Sequence, residues 1–301
     1  MGRKGGWRIR GLPLQSVCMF FLKVILLAII QGLAELLPVS SSAHVVVAEK
    51  LMGMDPSSPA MTLLLVMLHT GTMFAVIVYF WNQWRATFFS DSEAKKRFFW
   101  QAVIATFFTG IVGEGMIKVI EHTLFKGAPK AEIEDLFSHL EIVAPALLAA
   151  GILILIAGLK EGRRPDSEEA DQIGFGQAGI IGAVQGLCLP FRGFSRSGAT
   201  ISVGMLQRIK KARVEAFSFA LAVIITPLAI GREVLRLRHA DTSGFAHAAA
   251  PSLLGMVFAF LAGLLALKWL SSWLERGRWF YFGIYCIVAS IVVFVLHAKG
   301  Y

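Results

Sequence analysis

Gln31-Gly32-Leu33-Ala34-Glu35-Leu36-Leu37-Pro38-Val39-Ser40-Ser41-Ser42-Ala43-His44 is the end of a long apolar run, broken by a proline and followed by three serines and a histidine, with a carboxylate just before the break. The same plan returns as Gln185-Gly186-Leu187-Cys188-Leu189-Pro190-Phe191-Arg192-Gly193-Phe194-Ser195-Arg196-Ser197-Gly198, where arginine takes over as the ionisable group. From Gln31 to Gln185 the offset is 154 positions. Interrupting an apolar helix with proline and charge is costly in a bilayer, and such a cost points to a reactive or binding site.

The apolar character extends through the chain. With 56% hydrophobic residues, 16% charged and a mean hydropathy of +0.66, 301 residues are too apolar for an ordinary soluble domain. Apolar segments at Val17–Leu37, Met61–Phe80, Phe98–Ile120, Ile142–Leu159, Ile173–Leu189, Phe217–Ile230, Leu253–Leu270 and Phe280–Leu296 mostly approach the ~20 residues that cross a hydrocarbon core as helix. No period-2 alternation runs through them, and Ala, Leu and Met are common, so strands are not indicated. Cys18, Cys188 and Cys286 all lie in apolar segments, so neither a disulfide framework nor a metal cluster is expected.

The formal charge is +9, yet its Lys and Arg residues fall in short connections, where membrane orientation explains them better than nucleic acid does. Arg85 with Lys95–Arg97, Arg163–Arg164, Arg208–Arg213 and Arg276–Arg278 are placed in the cytoplasm; the acidic connection 121–141 fits the outer side. A cleavable leader is set aside, because Gln31 and Glu35 interrupt the first run and seven further apolar segments need no separate signal. These assignments trace consistently only if both broken segments dip in and return, residues 173–213 from the cytoplasm and 17–55 from outside. The basic N-terminal tail is then outside, against the positive-inside tendency. The expected fold is an all-α polytopic integral membrane protein, a single membrane domain over 1–301. Its approximate repeat halves, 17–160 and 173–297, are inverted in topology, with two re-entrant broken-helix segments meeting near the midplane.

Gln31 and Glu35 are four apart and share one helical face, so both can address one ligand. Ser40, Ser41 and Ser42 suit the N-cap of a returning helix whose free N–H groups favour an anion, with His44 in its first turn. Ser40 and Ser42 are read as caps rather than nucleophiles. Gly193, Ser195, Ser197, Gly198 and Thr200 form a second hydroxyl-rich turn, from which Arg196 offers a planar fork to phosphate oxygens. Glu35, helped by Gln31, is the natural site for a divalent cation, Mg2+ or Ca2+, bridging carboxylate and diphosphate. His69, in Leu68-His69-Thr70-Gly71-Thr72, is weighed as a site-wall residue, with packing favoured. Glu114 and Lys118 are spaced as a helix-surface pair and are given no chemistry.

These residues resemble a known family, the bacterial undecaprenyl-diphosphatases, integral membrane enzymes that recycle the lipid carrier of cell-wall synthesis and confer bacitracin resistance when overproduced. Nearly the whole chain takes part. One family motif falls on Gln31, Gly32, Glu35, Pro38, Val39, Ser40, Ser41 and His44; the other falls on Gly193, Ser195, Arg196, Ser197, Gly198 and Thr200; Phe217-Ser218-Phe219 also follows the pattern. Three positions depart from it. Gln31 stands where many members have Glu, Arg192 where proline is usual, adding a cation beside the phosphate turn, and Ala43 where glycine is common.

The resemblance implies hydrolysis of undecaprenyl diphosphate to the monophosphate and inorganic phosphate, in the bacterial inner membrane, for peptidoglycan synthesis and cell shape. Its partners are then a polyprenyl diphosphate lipid and the bilayer, with dimerisation left open. Glu35, Ser41, His44 and Arg196 are the expected catalytic residues, with Gln31, Ser40, Ser42, Arg192, Gly193, Ser195, Ser197, Gly198 and Thr200 binding substrate. Ser41 as nucleophile, a phosphohistidine at His44 and direct attack by water all fit the residues. So does a polyprenyl-phosphate transporter or flippase, which needs a binding site and no nucleophile.

Overall fold

Each expected apolar segment becomes a helix. The computed structural model describes residues 14–55, 58–124, 140–161, 169–191, 193–237 and 245–298. The helices among them are α1 (Leu14–Leu36), α2 (Ser41–Met52), α3 (Pro59–Thr87), α4 (Ser92–Leu124), α5 (Leu140–Glu161), α6 (Phe175–Cys188), α7 (Arg196–Leu206), α8 (Lys211–Leu237), α9 (Phe245–Glu275) and α10 (Trp279–Ala298). Seven of the described helices are long and apolar enough to cross a membrane. The described residues hold no strand beyond one isolated bridge, Ala170 with Ile209. The basic tail at Arg3–Arg10, most of the acidic connection 121–141, and Arg163–Arg164 lie outside the described residues.

Both broken segments are helix–turn–helix units, and their arms are unequal. α1 has 23 residues and by length alone can cross the hydrocarbon core. α6 has 14 residues, a rise of about 21 Å, which falls short of the roughly 30 Å required. The returning arms, α2 with 12 residues and α7 with 11, are shorter still.

Two compact units are found, each drawing on both halves of the sequence. The first takes α1 to Leu36, His44–Tyr79 and Ala222–Leu267; the second takes Leu37–Ala43, Phe80–Leu221 and the chain from Lys268. In the first unit Val24, Leu27 and Ala28 of α1 pack with Val45, Met61, Leu64, Leu68 and Ala259. A Cβ on Gly32 would lie 2.7 Å from the Ala259 carbonyl, so α1 meets α9 backbone to backbone. Small residues permit this approach, and dispersion then holds helices together in an apolar solvent.

The second unit uses the same device. A Cβ on Gly182 would stand 2.1 Å from the Ala105 carbonyl, locking α6 on α4, and one on Gly283 would stand 2.6 Å from Leu155 N, locking α10 on α5. Thr109 Oγ1 donates across the first of these seams to Gly182 O at 2.8 Å. Aromatic rings close the end of α8: Phe88 stacks on Phe98 at 4.6 Å and meets Phe217 edge-on at 6.4 Å. Trp84 Nε1 donates to Ala216 O at 3.0 Å. Outside the spans, Asp91 caps α4 by accepting from Ala94 N at 2.9 Å, and that bond holds its carboxyl below the usual range. Lys210 reaches Asp171 at 2.7 Å and, by hydrogen bond and charge, lowers that carboxyl too. Together with the bridge at Ala170, this pair fastens the turn after α7.

Candidate functional site

In the first unit the last turns of α1 bring the expected pair together. Gln31 is buried, and its Nε2 donates to Glu35 Oε2 at 3.2 Å. The sequence spacing of four residues is therefore realised as a direct contact. A third side chain joins them from α3: His69 Nε2 lies 3.8 Å from Glu35 Oε2. The ring is fixed through its other nitrogen, since His69 Nδ1 stands 2.8 Å from the Leu65 carbonyl, and a carbonyl can only accept. Packing is the favoured sequence reading of His69, whereas the structure puts its ring at Glu35. No local pattern could have found this, because α1 and α3 are adjacent only after folding.

In the second unit the broken turn is tight. Val39 N donates to Leu37 O at 2.8 Å, and Ser40 has φ +67°, a left-handed conformation that a serine adopts at some cost. α2 then begins at Ser41, with Ser40 immediately before it and the Ser40 and Ser42 hydroxyls 3.4 Å apart. Ser41 is half-buried. Three residues on along the same helix, His44, where the first unit resumes, is also half-buried.

The second motif packs on this turn. Ser195 precedes α7, and its hydroxyl accepts from Gly198 N at 3.2 Å. Gly193 has φ +112°, and a Cβ there would stand 2.5 Å from Val143 O, so glycine is required on both counts. Ser197 Oγ donates to Leu37 O at 3.4 Å, Cys286 Sγ to Pro38 O at 3.2 Å, and a Cβ on Gly198 would sit 3.2 Å from Pro38 Cβ. The two turns, 154 positions apart in sequence, are thus in contact through the Leu37 carbonyl and the Pro38 side chain.

Hydroxyls and guanidinium divide the labour. Ser195, Ser197 and Thr200 are buried, and each has a protein partner, so they shape the turn from within. Arg196, the first residue of α7, is half-buried at the helix end where free N–H groups and the dipole favour negative charge. Arg192 lies outside the described residues. Sequence reasoning missed Cys286, for which there is no local signal.

Among the described residues, no three His, Cys, Asp or Glu side chains converge as a preformed metal cage. A single carboxylate held by an amide suits a hard divalent cation that takes its remaining ligands from water and substrate phosphates. Gln31 and Glu35 fit that role.

Comparison with known proteins adds a further finding. The family model described as bacitracin resistance protein BacA matches residues 24–292. The chain is 56% identical over 288 residues to undecaprenyl-diphosphatase 2 of Acinetobacter baylyi, covering 93% of this chain and 99% of that protein. It is 31% identical over 275 residues to the undecaprenyl-diphosphatase of Halothermothrix orenii (91% and 97% covered). Against undecaprenyl-diphosphatase 2 of Burkholderia orbicola the identity is 33% over 290 residues (92% and 98% covered).

Proposed function

The chain belongs to the bacitracin resistance protein BacA family, and on that premise we propose that it is an undecaprenyl-diphosphatase of the bacterial inner membrane. It hydrolyses undecaprenyl diphosphate to undecaprenyl phosphate and inorganic phosphate, which returns the lipid carrier to peptidoglycan synthesis. The observation that carries this reading is the contact between the two motif turns, Leu37 O with Ser197 Oγ, beside a helix end that bears Arg196. An anion cradle of this kind suits a diphosphate. The apolar helices around it suit the prenyl chain.

Phosphoryl transfer depends chiefly on positioning and charge neutralisation. Arg196 clamps the terminal phosphate. Gln31 orients Glu35, and these two would hold a divalent cation, Mg2+ or Ca2+. When bound, the cation would draw negative charge from the diphosphate. The attacking atom bonds to the terminal phosphorus as the bond to the bridging oxygen breaks, and undecaprenyl phosphate departs with that oxygen. With Ser41 as attacker, its proton passes to His44, and water then releases inorganic phosphate from the serine. Ser41 is favoured because it is the first residue of α2, at the end whose N–H groups attract phosphate, while His44 lies nearly a turn further on. A phosphohistidine at His44 and direct attack by water are the competing routes.

For topology, we propose inverted repeats with two re-entrant broken-helix segments, a reading supported by the short helices α2, α6 and α7. Purified protein in detergent, where no gradient exists, should release phosphate from undecaprenyl diphosphate. Binding without release would favour a carrier and overturn the hydrolase.

A further inference from the structure

We infer that the turn between α9 and α10 binds the headgroup of an anionic phospholipid. Arg276 and Arg278 hold its phosphodiester, Lys268 reaches it from along α9, and the rings of Trp269, Trp273 and Tyr281 form the wall. The site stands apart from the phosphatase reading, since none of these residues belongs to either motif turn.

The turn is built on Trp273. Its carbonyl accepts from Arg278 N at 2.8 Å, and Gly277, at φ +67°, donates from its N–H to Leu274 O at 3.1 Å. A left-handed glycine permits this closure of a helix end. It sets the two arginines on either side of Gly277 and brings the chain at Arg278 back to the level of Trp273. The Trp273 ring meets that of Trp269, one turn earlier on the same face, at 5.3 Å, and that of Tyr281 in α10 at 5.8 Å. Trp269 and Tyr281 nonetheless stay 43% and 48% exposed. Rings with an apolar body and a polar tip settle at the level of lipid headgroups.

Charge decides what fills the site. Lys268, Arg276 and Arg278 are exposed, and among the described residues none of their side chains has a hydrogen bond or ion pair with the protein. The dipole at the end of α9 attracts cations, but its last carbonyls already accept from backbone N–H groups: Ser272 O from Arg276 N at 3.3 Å, then Trp273 O and Leu274 O as above. The guanidinium donors are left for a ligand, and planar forks suit the oxygens of a phosphodiester. Lys268 lies two turns back, on the row that runs through Ser272 to Arg276, and its long stem carries the ammonium toward the headgroup level. Against these three cations, residues 268–281 hold one carboxylate, Glu275. Below the turn, Ile284, Val288 and Ile291 are exposed at helical spacing on α10, an apolar strip for an acyl chain that a free phosphate ion would not use. The positive-inside pattern puts this turn at the cytoplasmic leaflet, whose anionic lipids attract basic segments beside a membrane span.

The test counts bound lipids. Full-length protein, stripped of lipid in detergent, is titrated with phosphatidylglycerol or phosphatidylcholine, and native mass spectrometry reads the one-lipid adduct. A basic side chain at an anionic surface contributes about a fivefold preference, so the parent should bind phosphatidylglycerol at least about tenfold more tightly than phosphatidylcholine. Arg276→Gln and Arg278→Gln should each lose about fivefold of that preference, and the double variant nearly all of it. Arg85→Gln with Lys95→Gln removes the same charge from the ends of α3 and α4 and should keep it. Thermal melting and phosphate release from undecaprenyl diphosphate should match the parent in every variant, which separates loss of the lipid site from loss of the fold or of the phosphatase. Equal binding of the two lipids by the parent, a preference that survives in the Arg276→Gln, Arg278→Gln protein, or one lost equally in the Arg85→Gln, Lys95→Gln protein overturns the inference. Displacement of phosphatidylglycerol by inorganic phosphate at equal concentration also overturns it, because the site would then be one for the free ion.

Discussion

The hydroxyls of Thr200 and Ser218 lie 2.6 Å apart, and both residues are wholly buried. Thr200 Oγ1 is also 2.7 Å from the Arg196 carbonyl, which can only accept, so the threonine proton goes there and Ser218 donates to Thr200. A buried chain of hydroxyls thus runs from α8 to the backbone of the arginine at the start of α7.

Breaking that chain should show by degrees. Thr200→Val leaves the Ser218 hydroxyl buried without its acceptor and should lower stability by about 1–3 kcal/mol, whereas Thr200→Ser should melt close to the parent. Thermal unfolding in detergent reads both, and equal melting of the two variants would refute the assignment.

Arg196→Lys keeps the charge and loses the two-pronged geometry. Turnover should fall about a hundredfold, as when one preorganised donor to a transition state is removed, with the melting temperature unchanged. Near-normal phosphate release would reduce Arg196 to a general positive field.

Excess chelator should stop turnover, and Glu35→Ala should abolish the metal-dependent rate more completely than Gln31→Ala. Only Glu35 supplies formal charge; Gln31 acts through its 3.2 Å bond to it. Full activity in chelator would remove the cation from the reaction.

Ser41→Ala should eliminate nearly all phosphate release, while His44→Gln should leave a remnant that rises with pH as hydroxide replaces the lost base. An acid-labile, alkali-stable phosphoenzyme trapped in the parent and absent from His44→Gln would reverse the two roles.

The glycine seams make a structural prediction. Gly182→Ala forces a Cβ to within 2.1 Å of the Ala105 carbonyl and should cost about 1–3 kcal/mol. Gly110→Ala, in α4 with nothing within 4 Å, should stabilise by roughly 0.5–1 kcal/mol through helix propensity. Unfolding of both variants checks the pair, and similar shifts would argue against close α4–α6 packing.

The chain's linear order determined a good deal by itself. Apolar length dictates the helices, because a backbone in hydrocarbon must satisfy its own hydrogen bonds; Pro38 and Pro190 dictate the breaks, and the four-residue spacing of Gln31 and Glu35 dictates their contact. Local rules of this sort act within one or two turns. Tertiary structure decided what joins elements far apart in sequence: His69 at Glu35, Cys286 on the Pro38 carbonyl, Ser218 behind Thr200. It also decided that the first arms of the two broken segments have 23 and 14 residues. The physical reason lies in the solvent. Lipid-facing and protein-facing sides of a membrane helix are both apolar, so periodicity carries little record of which helix will lie against which, and small residues such as Gly32 and Gly182 settle it only by fitting a partner's backbone.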